Sequence, residues 1–495
     1  MAEASNLKLE TVLKYLVADP ADIDPALLNR EVGSFVIDSR DVESGDIFFA
    51  LSQPEYKYNG FNGEFQDSTA YVPSAIEKGA IACVVRPDRF TEHSHGLAHF
   101  RGRLIFVDDA IAALQRLAHS IYLEWDKPVV AITGSAGKTT AKEISAHVLS
   151  TSGRKVLSNI KNYNNGLGHP LTVVRLAADK SFDVAVLEMG MSTPMNEIAR
   201  LCRITPPDVA VELNVLPVHL EHLGSIERIA AAKAELVEGM KEGGVAVLNA
   251  DDNRVAAMSL LSRGRVVTFA IDNDADVKAE DIHFSTFGET RFTLAAKGER
   301  VPVIFPLNGK HNILNALAAS AVGLEFGMSV GEVANSLRTV SAPSQRGEVV
   351  HFAGGFTVIN DSYNSNPDAL VSMVETLAAG AGTKRKIVVA GEMLELGPDA
   401  ASIHRETGRR IASIGVDLLI GVRGFANEIM QGATERGTGD AQFAASSDEA
   451  GDMLSEIVRA GDVILIKGSR GVRTEKILEK LLEKFEVEDK VTAAR

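Results

Sequence analysis

The chain has 495 residues, 45% of them hydrophobic and 24% charged, and a formal net charge of -15. That length excludes a single core, since domains run to about 100 to 200 residues, and three domains are expected. The acidic balance argues against nucleic acid as a partner. The cysteines, Cys83 and Cys202, give neither a disulfide framework nor metal-ligand spacing, so a reducing cytoplasm is the expected location. No basic-then-apolar leader and no apolar stretch of bilayer length is present, so no membrane insertion is expected.

Residues 1–125 read as a small α/β unit, with strands predicted at 34–37, 46–51, 80–85 and 103–107, a helix at 111–124, and a polar, aromatic loop at 52–71. Across 126–341, apolar strands at Val129–Thr133, 183–188, 208–213 and 244–248 alternate with helical patterns, as in a mostly parallel sheet. The stretch 281–306 alternates apolar and polar residues like antiparallel strands, and a helix begins near His311, so this α/β unit is expected to hold a P-loop ATPase-like mixed sheet. Residues 342–495 carry strands at 356–360, 386–390, 417–420 and Val463–Lys467 with helices between them, a Rossmann-like third domain. The charged stretch 479–490 reads as a solvated helix end.

The chemistry concentrates first at Pro-Val-Val-Ala-Ile-Thr-Gly-Ser-Ala-Gly-Lys-Thr-Thr, residues 128–140. An apolar strand enters a turn with Gly134, Ser135, Ala136 and Gly137, then a helix start with Lys138, Thr139 and Thr140. Backbone N–H groups and the helix terminus favour phosphates, Lys138 adds a mobile charge, and the Thr139 hydroxyl can ligate Mg2+. The first glycine of the longer phosphate-loop pattern would fall at Ile132, so the turn is a shortened one. Glu188 ends an apolar strand, where parallel sheets place ligands, and is a candidate Mg2+ ligand. His219 follows another such strand and could meet Glu188 around a cation, although a single histidine is more often structural. Spacing alone makes Lys233, in Ala-Ala-Lys-Ala-Glu, a snorkelling surface lysine. The amides of Asn312 and Asn315 lie one helical turn apart and suit either an adenine edge or capping and packing.

In their order these segments resemble the Mur ligases of bacterial peptidoglycan synthesis, over nearly the whole chain. The resemblance rests on Asp38-Ser39-Arg40 with Gly45-Asp46-Ile-Phe-Phe-Ala-Leu51, the phosphate loop, Asn162-Tyr-Asn164-Asn165 with Gly168-His-Pro170, Glu188-Met-Gly190, His219-Leu-Glu221 and His311-Asn312 with Asn315. In the last domain, Asn360-Asp361-Ser-Tyr363-Asn364-Ser-Asn366-Pro367, Gly391-Glu-Met-Leu-Glu395-Leu-Gly397 and Lys467-Gly-Ser-Arg470 are similar to motifs of the D-alanyl-D-alanine-adding branch. No Asp-Asn-Pro-Arg motif of the diaminopimelate-adding branch is present.

The resemblance implies an ATP-dependent amide ligase joining D-Ala-D-Ala to UDP-N-acetylmuramoyl-tripeptide through an acyl phosphate, in the cytoplasm and as a monomer. It implies catalytic roles for Lys138, Glu188, His219 and Lys233, with two Mg2+ ions held by Thr139, Glu188, His219 and Lys233, the last as a carbamate. ATP would be bound by residues 134–140 with Asn312 at adenine and Arg346 and Asp361 at ribose or phosphate. The substrates would meet Ser39, Arg40, Asn164, Asn165, Tyr363, Asn364 and Asn366. The C-terminal domain is expected to swing onto the central one about hinges near 125–127 and 341–343. Departures from the pattern are Gln345 before Arg346, Asn360 in place of an acid, and the longer segment 52–71. The third residue of the tripeptide, diaminopimelate or lysine, and the general base stay open. A related ligase with another acceptor and a non-ligating ATP switch are the alternatives.

Overall fold

The computed structural model describes residues 7–61, 63–160, 162–191, 196–217, 224–286, 289–341, 345–437 and 439–488. His219 and the expected hinge positions 342 and 343 lie outside them.

Three sheets organise the described chain. The first is parallel throughout, in the order Phe35–Val36, Ile47–Phe49, Ala82–Val85, Leu104–Phe106. Helix Ala110–Trp125 closes it. The Asp109 side chain caps its start by accepting from Ala112 N–H, and Asp126 ends it in the left-handed region at φ 45°. In the second sheet, of nine strands, Val129–Thr133 lies between Val184–Glu188 and Val209–Glu212, all parallel. Parallel strands buried on both faces need continuous apolar runs, and these have them. At one edge Val277–Thr286, Glu289–Ala296 and Glu299–Phe305 pair antiparallel, so the sheet is mixed as the alternation predicted.

The third sheet runs Glu348–His351, Thr357–Asp361, Val463–Lys467, Lys386–Gly391, Leu418–Val422, Ala441–Ala444, parallel except for the first strand. Strands Val156–Ser158, Arg265–Ala270, Glu348–His351 and Ala441–Ala444 escaped the sequence reading. They are short or partly exposed and lack a fully apolar run.

One expectation is corrected. Residues 52–71 are not a plain loop: they contain helix Gln53–Tyr58 and the 3-10 turn Ser68–Tyr71. The aromatic residues pack on one another and into the main core, with Tyr56 stacked on Phe61 at 4.9 Å and edge-on to Phe65 at 5.0 Å. Arg200, from the helix Glu197–Ile204 beside the central sheet, lies 5.4 Å from the Phe61 ring centroid and donates through Nη1 to the Asn59 carbonyl at 3.0 Å. The segment therefore spans two sheets' layers.

Truncating the buried ring in Phe61→Ala should cost about 3 kcal/mol locally and speed tryptic cleavage after Lys57, which gel-resolved proteolysis would detect. Glu55, buried on the helix of the same segment, accepts from Ser52 Oγ at 3.0 Å, and burial pushes its carboxyl from 4.5 up to about 7. The folded chain then holds a proton that the unfolded chain releases above pH 4.5. Stability from this group should fall as pH rises from 4.5 to about 7, and Glu55→Gln should flatten that slope in calorimetric melts.

Candidate active site

The strand Val129–Thr133 delivers the chain to the phosphate loop at the C-terminal edge of the central sheet. Glycine is required there by sterics. A Cβ on Gly134 would lie 2.9 Å from Leu213 Cβ, and one on Gly137, which has φ 84°, would lie 2.5 Å from Asn315 Oδ1. Gly137 is also the N-cap of helix Lys138–Thr151, so no side chain covers the first-turn N–H groups facing the cleft.

Lys138 is half-buried and its Nζ donates to the Gly134 carbonyl at 2.9 Å. Burial lowers its pKa, Glu188 opposes that shift, and Arg346 adds to it. The Thr139 hydroxyl donates to Glu188 Oε2 at 2.7 Å and accepts from Arg346 Nη2 at 3.0 Å. Glu188 Oε1 accepts from Asn164 Nδ2 at 2.6 Å, and the Glu188 N–H donates to Asn159 Oδ1 at 2.6 Å. The carboxylate is thus held by two side chains, and its backbone by a third.

These groups line a cleft of about 340 Å3 between the central sheet and the third sheet. The facing wall comes from the C-terminal part of the chain. Arg346 lies 3.8 Å from the Tyr363 ring centroid, a close cation–π contact. Lys467 Nζ donates to Asp361 Oδ2 at 2.6 Å and to the Asn364 carbonyl at 2.9 Å. Asn366 caps helix Pro367–Ala381 by accepting from Ala369 N–H. Asn312 lines the cleft but its amide already donates to the Asn308 carbonyl at 2.7 Å, just before the helix Lys310–Glu325.

Other expected residues lie elsewhere. Ser39 and Arg40 belong to the first sheet's unit and do not line this cleft. Arg40 is exposed and pairs through Nε with Asp38 Oδ1 at 2.9 Å. Asn165 does not line the cleft; its Oδ1 closes its own turn by accepting from Gly168 N–H at 2.9 Å. The surface placement that spacing alone favoured for Lys233 is wrong. Lys233 is buried on helix Ile226–Glu238, and burial pushes its ammonium down to about 7, with Lys138 adding to the shift and Glu212 opposing it. The small neighbours that suggested a surface stem instead let the helix pack closely.

Glu212 was missed. It is fully buried at the end of Val209–Glu212, neither carboxylate oxygen has a hydrogen-bond partner, and burial holds its pKa well above 4.5. Its signal was the one that marked Glu188, a lone acid ending an apolar strand. Orphaned carboxylate oxygens beside a buried lysine suit a bound cation, and the Thr139–Glu188 pair offers further oxygen ligands. Among the described residues no group of three or more His, Cys, Asp or Glu side chains is poised around one point.

A phosphate-binding turn, a strand-end carboxylate and a second α/β layer closing the cleft define a P-loop enzyme that uses ATP. Residues 132–323 match the Mur ligase middle domain, and residues 345–470 match the Mur ligase, glutamate ligase domain. The chain is 35% identical to the UDP-N-acetylmuramoyl-tripeptide--D-alanyl-D-alanine ligase of Mycobacterium leprae, covering 91% of this chain and 93% of that one. It is 34% identical to the Bacillus subtilis protein of the same name, covering 90% and 92%. A crystal structure of MurF from Acinetobacter baumannii superposes with TM-score 0.84 at 27% identity, covering 98% of this chain and all of that one. MurF ligase from Thermotoga maritima in complex with ADP gives 0.77 at 28% identity, covering 91% and 97%. The chain belongs to the Mur ligase family.

Gly137→Ala places a side chain at positive φ against Asn315. It should weaken binding of a non-hydrolysable ATP analogue at least about tenfold by calorimetric titration, with the other two sheets' melting unchanged.

Proposed function

We propose that the chain joins D-Ala-D-Ala to UDP-N-acetylmuramoyl-tripeptide, spending ATP and releasing ADP and phosphate, and so completes the pentapeptide nucleotide of peptidoglycan synthesis. The observation that carries this is 34% to 35% identity over nine-tenths of the chain to ligases of that name. Among the described residues no helix is long and apolar enough to cross a membrane, which suits work on nucleotide substrates in the cytoplasm.

The tripeptide's terminal carboxylate attacks the γ-phosphorus of ATP. The N–H groups of residues 134–140 and Lys138 take up the charge that develops on the transferred phosphoryl group. The resulting acyl phosphate is attacked by the dipeptide amine, and the tetrahedral adduct collapses with loss of phosphate. Water must be excluded meanwhile, since it competes for the acyl phosphate. The Arg346–Thr139 bond supports a role for the C-terminal domain in that exclusion.

In this reading residues 1–125 receive the UDP-sugar through Ser39 and Arg40, residues 126–341 hold ATP, and residues 342–495 close on it. Asn312 reads adenine, Arg346 and Asp361 meet phosphate or ribose, and Asn164 and Asn165 meet the tripeptide. Tyr363, Asn364 and Asn366 face the dipeptide. Mg2+ neutralises phosphate charge when bound, and Thr139, Glu188, His219 and Lys233 would hold it, Lys233 as a carbamate. An ammonium buried beside Lys138 is costly, and carbamate formation removes that charge while adding an oxygen ligand, which supports the modification.

The test is ADP release by the purified chain with ATP, Mg2+, the nucleotide tripeptide and D-Ala-D-Ala, omitting each acceptor in turn. ADP should form only with both, and the product should gain one dipeptide less water. Turnover without the dipeptide contradicts the reading. Lys233→Ala should lower kcat at least about a hundredfold while ATP-analogue affinity stays within a few-fold, as measured by rates and titration.

A further inference from the structure

The wall of the cleft opposite the phosphate loop includes the turn 391–397, which contributes Leu394, Glu395 and Leu396. Glu395 sits at φ 64°, in the left-handed region that a side-chain-bearing residue adopts only when its surroundings impose it. Backbone N–H groups on the preceding residues supply that imposition. Leu394 N–H donates to Ser469 Oγ at 2.9 Å, and Met393 N–H donates to His404 Nε2 at 2.9 Å.

His404 lies on helix Ala400–Ile414 with no exposed surface, and its Nδ1 is 2.6 Å from the Ala400 carbonyl oxygen. A carbonyl only accepts, so Nδ1 carries the proton. A backbone N–H only donates, so Nε2 offers a lone pair. Both ring nitrogens are committed, and the tautomer follows from geometry. Met393 is itself buried, so its N–H cannot turn to water if His404 is lost.

The turn is tied to the acceptor side of the cleft. Ser469 Oγ, which accepts from Leu394, lies 3.4 Å from the Ser365 carbonyl, within the Tyr363–Asn366 run. We propose that His404 is a positioning residue for the ligation step. By accepting from Met393 N–H it fixes Leu394, Glu395 and Leu396 over the cleft, and this favours binding of the amine-bearing dipeptide without affecting ATP. The proposal rests on the ligase reading above.

Initial rates on the full-length chain, varying ATP, nucleotide tripeptide and D-Ala-D-Ala in turn, compare His404→Gln with His404→Asn. The glutamine oxygen reaches the Nε2 position, whereas the asparagine amide reaches only the Nδ1 position. His404→Asn should raise the KM for D-Ala-D-Ala about tenfold with the KM for ATP within about twofold, and His404→Gln should stay within about threefold of the parent. Equal behaviour of the two variants, a loss confined to kcat, or a matching rise in the KM for ATP overturns the proposal. If the parent does not use D-Ala-D-Ala at all, the ligase reading falls instead. The long-range 1H–15N spectrum of the parent's His404 ring then decides the positioning claim, as it does if His404→Asn does not fold. A ring protonated at Nδ1 alone supports it, and protonation at Nε2 overturns it.

Discussion

Thr139 carries the contact on which the cleft depends. Its hydroxyl hydrogen goes to Glu188, from the strand beside the phosphate loop, and its lone pair receives Arg346, 207 positions further along the chain. Donor and acceptor are thus used in opposite directions by two different layers of the molecule. Arg346 in turn rests on the ring of Tyr363, so the first residues of the C-terminal part are held against the loop by a hydrogen bond and a cation–π contact acting together. Tyr363, assigned to dipeptide binding, is part of that join.

The electrostatics are local. A chain of net charge -15 does not attract a nucleotide triphosphate by its overall field, so the attraction comes from where cations are placed. Lys138, Arg346, Lys467 and Arg470 all line the one cleft, and their partners there are carbonyls, a hydroxyl and few carboxylates. Burial lowers the pKa of both Lys138 and Lys233; Arg346 lowers Lys138 further and Lys138 lowers Lys233 further, while Glu212 opposes both shifts and Glu188 opposes that of Lys138. The site therefore holds charges in tension, and an anionic phosphate chain is the partner that relieves it.

Much of this was legible before any coordinates. The phosphate loop could be read because a strand, a glycine turn and Lys-Thr-Thr are contiguous and sterics leave few other conformations. The mixed central sheet was readable where alternation at 281–306 replaced the continuous apolar runs. Lys233 and Glu212 were harder, because burial is a property of the whole packing and not of neighbours in the chain. Residues 52–71 misled for a related reason: aromatic side chains in a polar stretch find one another, and Arg200, only after folding. His404 had no local signal at all, since its partner is a backbone N–H eleven residues away.

In this cleft ATP is to activate a carboxylate before an amine attacks it. The direct measurement is isotope transfer: a tripeptide nucleotide labelled with 18O in its terminal carboxylate is turned over with ATP and D-Ala-D-Ala, and the released phosphate is analysed by mass. An acyl phosphate predicts one labelled oxygen in each phosphate formed. Unlabelled phosphate, with all 18O kept in the peptide product or lost to water, would contradict the mechanism.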